Sequence, residues 1–158
     1  MKSEQLEEVY NFHDCGVFTP FQMDGDSIIV TFNLSKHLQY SDLKSRYGTS
    51  FFDKSLSLIV KVKFATCSDI RMLRRVYEHS KKQINIKSER ELPTDAFDWN
   101  SDFRSFHLSE QNEVSFGFVP WENSSDSSFV DEIHFICGEV VILKELLIDT
   151  DAYEDIQD

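Results

Sequence analysis

Val17-Phe18-Thr19-Pro20-Phe21-Gln22-Met23-Asp24-Gly25-Asp26-Ser27-Ile28-Ile29-Val30-Thr31-Phe32-Asn33-Leu34 is the stretch that decides the fold class of this chain. Two strand-like runs, Val17 to Met23 and Ser27 to Leu34, are joined at Asp24-Gly25, the dipeptide that best tolerates the positive φ angles of a tight hairpin. Pro20 has no amide hydrogen and cannot serve ladders on both sides. The first run therefore belongs at a sheet edge, or is interrupted there.

Working outward, Ser55 to Phe64 (SLSLIVKVKF) sets Leu56, Leu58, Val60, Val62 and Phe64 against Ser57, Ile59, Lys61 and Lys63. A period of two predicts a long strand with one face on the core. Between the hairpin and this strand, residues 35–48 (SKHLQYSDLKSRYG) offer Ser35 and Ser41 as caps and Gly48 as a stop, which suggests one short helix or two turns. Ahead of the hairpin, Ser3 can cap a short helix that places Leu6, Val9 and Tyr10 on one face, with Glu4 in its first turn.

Further along, Thr66 and Asp69 resemble a capping box, and Ile70, Leu73, Val76 and Tyr77 follow at helical spacing. A helix over about 67–82 is expected, its outer face carrying Arg71, Arg74, Arg75, Lys81 and Lys82; a solvated face is the ordinary role of such a charge run. Residues 84–97 read as irregular, ending in the turn-prone ELPTDAFD. Strand patterns return at Phe103 to Leu108 and Glu113 to Val119. Residues 122–129 (ENSSDSSF) read as an exposed loop. Ile133 to Cys137 and Glu139 to Leu147 fit either a hairpin about Gly138 or one long bulged strand.

With no repeat and no linker, these segments predict a single α+β domain over residues 1–148. Its expected form is an antiparallel β-sheet of about seven strands with two or three helices packed on one face. An acidic C-terminal tail, 149–158, is expected to fray.

Composition narrows the class. The chain has 158 residues, 41% of them hydrophobic and fourteen of them Phe, which predicts a globular fold with an aromatic core. MKSEQLEEVY lacks the apolar centre of a signal peptide, and no apolar run approaches the roughly 20 residues of a membrane span, so a cytoplasmic protein is expected. Cys15, Cys67 and Cys137 are odd in number and widely spaced, as suits buried free thiols in a reducing compartment. Net charge is −12 and unevenly spread: residues 67–90 carry seven basic and three acidic groups, residues 91–158 two and seventeen. Such a surface disfavours nucleic acid and attracts a basic protein partner.

No catalytic or metal signature stands out. His13, His37, His79, His107 and His134 never occur at the H-x-x-x-H spacing that faces two imidazoles toward one ion, so neither metal nor cofactor is expected. His13-Asp14 suits a structural pair at a strand entry. There is no G-x-S-x-G elbow and no glycine-rich phosphate loop, and Asp98 with Asp102 reads as a chance carboxylate pair among many. The strongest binding candidate is the region of Trp99 and Trp121, set among Asp95, Asp98, Asp102, Glu122 and Asp126. Aromatics supply rigid contact area there and carboxylates capture a basic partner; alternatively both tryptophans are core and the acids only confer solubility.

Phe12-His13-Asp14-Cys15, Val17, the Asp24-Gly25-Asp26 turn and the strands Ile28–Phe32 and Leu58–Phe64 together resemble small bacterial proteins with an aromatic-His-Asp entry and a β-hairpin. Several of these are encoded beside polymorphic toxins as immunity proteins. The resemblance covers residues 10–64, with the Glu132–Val141 strand as an extension, and it makes His13 and Asp14 fold-defining rather than catalytic. It implies a non-enzymatic protein that neutralises a basic toxin, such as a nuclease, by stoichiometric binding. A scaffold or regulatory domain that self-associates as a homodimer through an edge strand is the alternative.

Overall fold

The computed structural model describes residues 1–80, 83–93, 101–119 and 129–149. In chain order these contain α1 (Ser3–Val9), β1 (Gly16–Asp24), β2 (Ser27–Leu34), α2 (Ser41–Tyr47), β3 (Leu56–Ala65), β4 (Ser68–Ser80), β5 (Gln83–Leu92), β6 (Asp102–Leu108), β7 (Glu113–Val119), β8 (Phe129–Ile136) and β9 (Glu139–Asp149). Contacts divide the chain into two compact units. One comprises Met1–Thr66 and the chain from Gly138 onward; the other comprises Cys67–Cys137. In place of one sheet of about seven strands, the protein has nine described strands in two antiparallel sheets and two short α-helices.

The first unit is built on a four-stranded sheet of order β1-β2-β3-β9. Asp24 pairs with Ser27, so the loop is Gly25-Asp26, one residue beyond the expected dipeptide. Gly25 takes φ +60°, the conformation a glycine-first hairpin turn needs. β1 is an edge strand, and its register shifts between Phe18 and Gln22 across Pro20, as a residue without a donor requires. β3 lies between β2 and β9, and Leu58, Val60, Val62 and Phe64 are buried on one face. Ile59 and Lys61 are also buried, so the expectation of a single covered face falls short.

Residues 35–48 form a 3-10 turn (Lys36–Leu38) and then α2, which stops at Gly48 with φ +61°. A second 3-10 turn (Gly48–Phe52) follows and buries Phe51. In α1 the N-cap is Lys2, whose amide donates to Gln5 Oε1 at 2.8 Å; Ser3 is buried instead of capping, and Val9 is exposed instead of packing beside Leu6 and Tyr10. Glu145 of β9 anchors three distant side chains. Its carboxylate accepts from Tyr10 Oη, from Tyr47 Oη at 2.6 Å and from Arg46 at 3.1 Å.

The second unit is a five-stranded sheet of order β5-β4-β8-β7-β6. The helix expected over 67–82 is instead the strand β4, hydrogen-bonded to β5 on one side and β8 on the other, with Lys81 and Lys82 outside the described residues. Thr66 and Asp69 both sit at φ +51°, a left-handed geometry that cannot open a right-handed helix. The segment read as irregular is likewise mostly strand, β5. β8 and β9 do not pair with each other: β8 joins β4 and β7, β9 joins β3, and the hairpin about Gly138 is replaced by a passage from one sheet to the other.

Register fixes which residues share a face of this sheet. Phe116 lies opposite Ile133 and Phe106, Phe118 opposite Phe103 and Asp131, and Val114 opposite Phe135. Phe116 meets Phe106 at 4.9 Å between ring centroids and Phe135 at 6.3 Å, which makes this the aromatic face. Asp131 is buried here and is held by Arg74 through two hydrogen bonds of 2.7 and 2.8 Å. Arg74 also covers the Phe129 ring at 4.3 Å. Of the three cysteines only Cys137 is buried; Cys15 and Cys67 are half-buried. No helix among the described residues is long and apolar enough to cross a membrane.

Candidate functional site

The opposite face of the same sheet is charged. The pairings Arg71–His134, Leu73–Glu132 and Arg75–Glu89 bring side chains from β4, β5 and β8 onto it, and Ser115 with His107 continue the His134 row across β7 and β6. The alternation of a strand is what collects them, since every second residue points the same way. A pocket of about 530 Å³ opens there, with Arg71, Arg75, Glu89, Glu113 and His134 among its lining.

Glu132 is the centre of the electrostatics. Its side chain is 12% exposed, with Arg75 Nε 3.1 Å from Oε2 and His134 Nε2 3.4 Å from Oε1. Burial alone would raise this carboxyl, but His134 and Arg75 outweigh it, with a smaller pull from His107, and hold it below the ordinary carboxylate value. Arg75 also reaches Glu89 at 3.0 Å, and Arg71 reaches Glu91 at 3.6 Å. Glu132 Oε2 and His134 Nε2 are buried, near opposite charge, yet aligned for no hydrogen bond among the described residues.

Paired with the Arg75 guanidinium and beside the His134 ring, the Glu132 carboxyl is held toward its ionised form. Ser115 lies in register between His107 and His134.

Of the sequence-predicted sites, Asp102, His13 and Asp14 are described. Asp102 opens β6, half-buried, opposite Val119 of β7. Asp95, Asp98, Trp99, Trp121, Glu122 and Asp126 lie outside the described residues. His13 and Asp14 are 3.7 Å apart in an exposed turn leading into β1, with 75% and 71% of their side chains exposed. Among the described residues no group of three or more His, Cys, Asp or Glu is placed to hold a metal ion. The charged sheet face escaped sequence reasoning because Arg71 and Arg75, four apart, fit a helix surface and a strand face equally. The signal that could have found it is the period of two in Glu132-Ile133-His134.

No protein-family model, curated protein or solved structure matches the chain.

Proposed function

We propose that this is a non-enzymatic binding protein whose charged sheet face docks a basic protein, in the manner of an immunity protein that neutralises a toxin one to one. The observation that supports this best is the charge balance of that face. Glu89, Glu91, Glu113 and Glu132 stand against Arg71 and Arg75 on adjoining strands. An acidic surface suits electrostatic capture of a cationic partner, with the arginines setting register by repelling misplaced charge. The acidic excess of residues 91–158 adds to the attraction at longer range.

The test is to express the polypeptide encoded next to this chain's gene, alone and together with it. Toxicity relieved by co-expression, and lost relief in a Glu89→Lys, Glu113→Lys variant, supports the proposal; harmless expression, or relief indifferent to both substitutions, overturns it.

A second reading, self-association, is favoured by β5. This ten-residue edge strand leaves residues 85–91 exposed, Ile86 included at 55%.

A further inference from the structure

The first unit carries a feature with no part in that reading. Lys36 and His37 from the 3-10 turn after β2, Lys44 from α2, Phe51 and Phe52 from the turn after α2, and Lys54 just before β3 line a pocket of about 430 Å³. That volume lies in the range of small-molecule sites. None of the six is acidic, although the residues of this unit include fifteen acidic and only eight basic side chains. Three of those eight stand around one cavity.

Lysines gathered so closely repel one another; Asp53 acts on Lys36 through space without forming an ion pair with it. Lys36 Nζ donates to the Asp53 carbonyl and Lys44 Nζ to the His37 carbonyl at 3.1 Å. These bonds fix where the ammonium groups stand without neutralising them. Among the described residues no carboxylate lies within ion-pairing distance of Lys36, Lys44 or Lys54. Asp53 is the adjacent acid in the chain, and its Oδ1 is engaged by the Ser55 amide at 3.0 Å and the Ser55 hydroxyl at 2.7 Å. His37 is oriented by Ser35, with Oγ and Nδ1 3.0 Å apart.

The cavity also has an aromatic wall. Phe51 is buried, while Phe52 is 71% exposed, its ring 6.0 Å from that of Phe51 and nearly perpendicular to it at 83°. A large apolar ring held in water beside three ammonium groups is a ready partner for a flat, apolar body that carries negative charge.

We propose that this pocket binds a small organic phosphate with a planar body, for which a mononucleotide is the model ligand. A phosphate monoester brings nearly two negative charges and three acceptor oxygens, matching three separate point-charge donors better than a single carboxylate does. Its base would lie on the exposed face of Phe52.

The experiment is a titration of the full chain with adenosine monophosphate, followed by amide NMR, with inorganic phosphate and adenosine as separate probes. The nucleotide is expected to shift resonances within residues 35–55, phosphate to shift the same resonances with lower affinity, and adenosine to bind at least about tenfold more weakly than the nucleotide. Lys54→Gln, at an exposed position, should weaken the nucleotide about tenfold, and Phe52→Ala should reduce it to the level of inorganic phosphate. The proposal is overturned if the nucleotide leaves these resonances unmoved, if either variant binds it unchanged, or if phosphate and nucleotide bind equally well.

Discussion

Glu145 gathers onto one carboxylate three donors from two separate parts of the first unit, Tyr10 and the end of α2, and its titration should be visible in stability. Burial opposes its charge, but Tyr10, Tyr47 and Arg46 outweigh that and hold it below the ordinary 4.5. Its contribution is therefore complete above that value and is lost as pH falls through the lower folded one. Tyr47 behaves in the opposite sense: burial first, then the bond to Glu145, push its hydroxyl from 10.0 to about 12, so its contribution is complete below pH 10 and is lost as pH rises toward 12. Glu145→Gln should flatten the acid limb of a stability-against-pH curve, and Tyr47→Phe should cost about 1 kcal/mol near neutrality and flatten part of the alkaline limb. Denaturant melts across pH provide the check. Gly117 offers a second test. A Cβ there would lie 2.4 Å from Ser105 Oγ, but 3.7 Å from Ser105 Cβ. Gly117→Ala alone should destabilise by about 1–2 kcal/mol, and Ser105→Ala in the same chain should recover most of that in a double-mutant cycle.

Among the elements, local chemistry was legible wherever it was unambiguous. Gly25 and Pro20 act through their own backbones, and both the hairpin and the broken edge strand followed from them. The strand at Glu113–Val119 was equally plain, because Val114, Phe116 and Phe118 alternate without competition. β4 was not legible. Ile70, Leu73, Val76 and Tyr77 satisfy a helical period, and the helix is lost only because β5 and β8 supply hydrogen bonds along both sides, a tertiary effect that no local window contains. Arg74 shows what that costs a sequence reader. Its place in the sequence fits a solvated helix face, yet it neutralises a buried aspartate on the aromatic face. The β5 edge makes its own prediction. Ile86→Lys should leave stability within about 0.5 kcal/mol, since the side chain is exposed, and should abolish any concentration-dependent mass in sedimentation if the chain self-associates through that edge.

At the level of the whole molecule, charge was the most readable property and its placement the least. The surplus of acid after residue 90 is plain from the chain, but the pairing of Arg75 with Glu89 and Glu132 depends on strand register and could not be counted in advance. The lysine pocket was hidden for a related reason: Lys36, Lys44 and Lys54 are eight and ten residues apart, a spacing with no period, and only the turns around α2 bring them together. Association of a basic partner with the charged face should slow steeply as salt rises toward and beyond physiological strength, where the screening length is about 8 Å, while its dissociation rate changes little. Stopped-flow measurements at two ionic strengths distinguish this from a salt-indifferent apolar contact.

The chain leaves the first unit after Thr66 and returns to it at Gly138, and the strand ends on either side of that excursion, Ala65 and Glu139, are direct partners in the β3–β9 ladder. The second unit is therefore a contiguous parenthesis, spliced into what would otherwise be a plain four-stranded meander at the tip of a single hairpin. A gene could gain, lose or exchange those seventy-one codons without breaking the reading order of any strand in the host sheet. The charged sheet face and the lysine-lined pocket would thereby be free to evolve as separate cassettes.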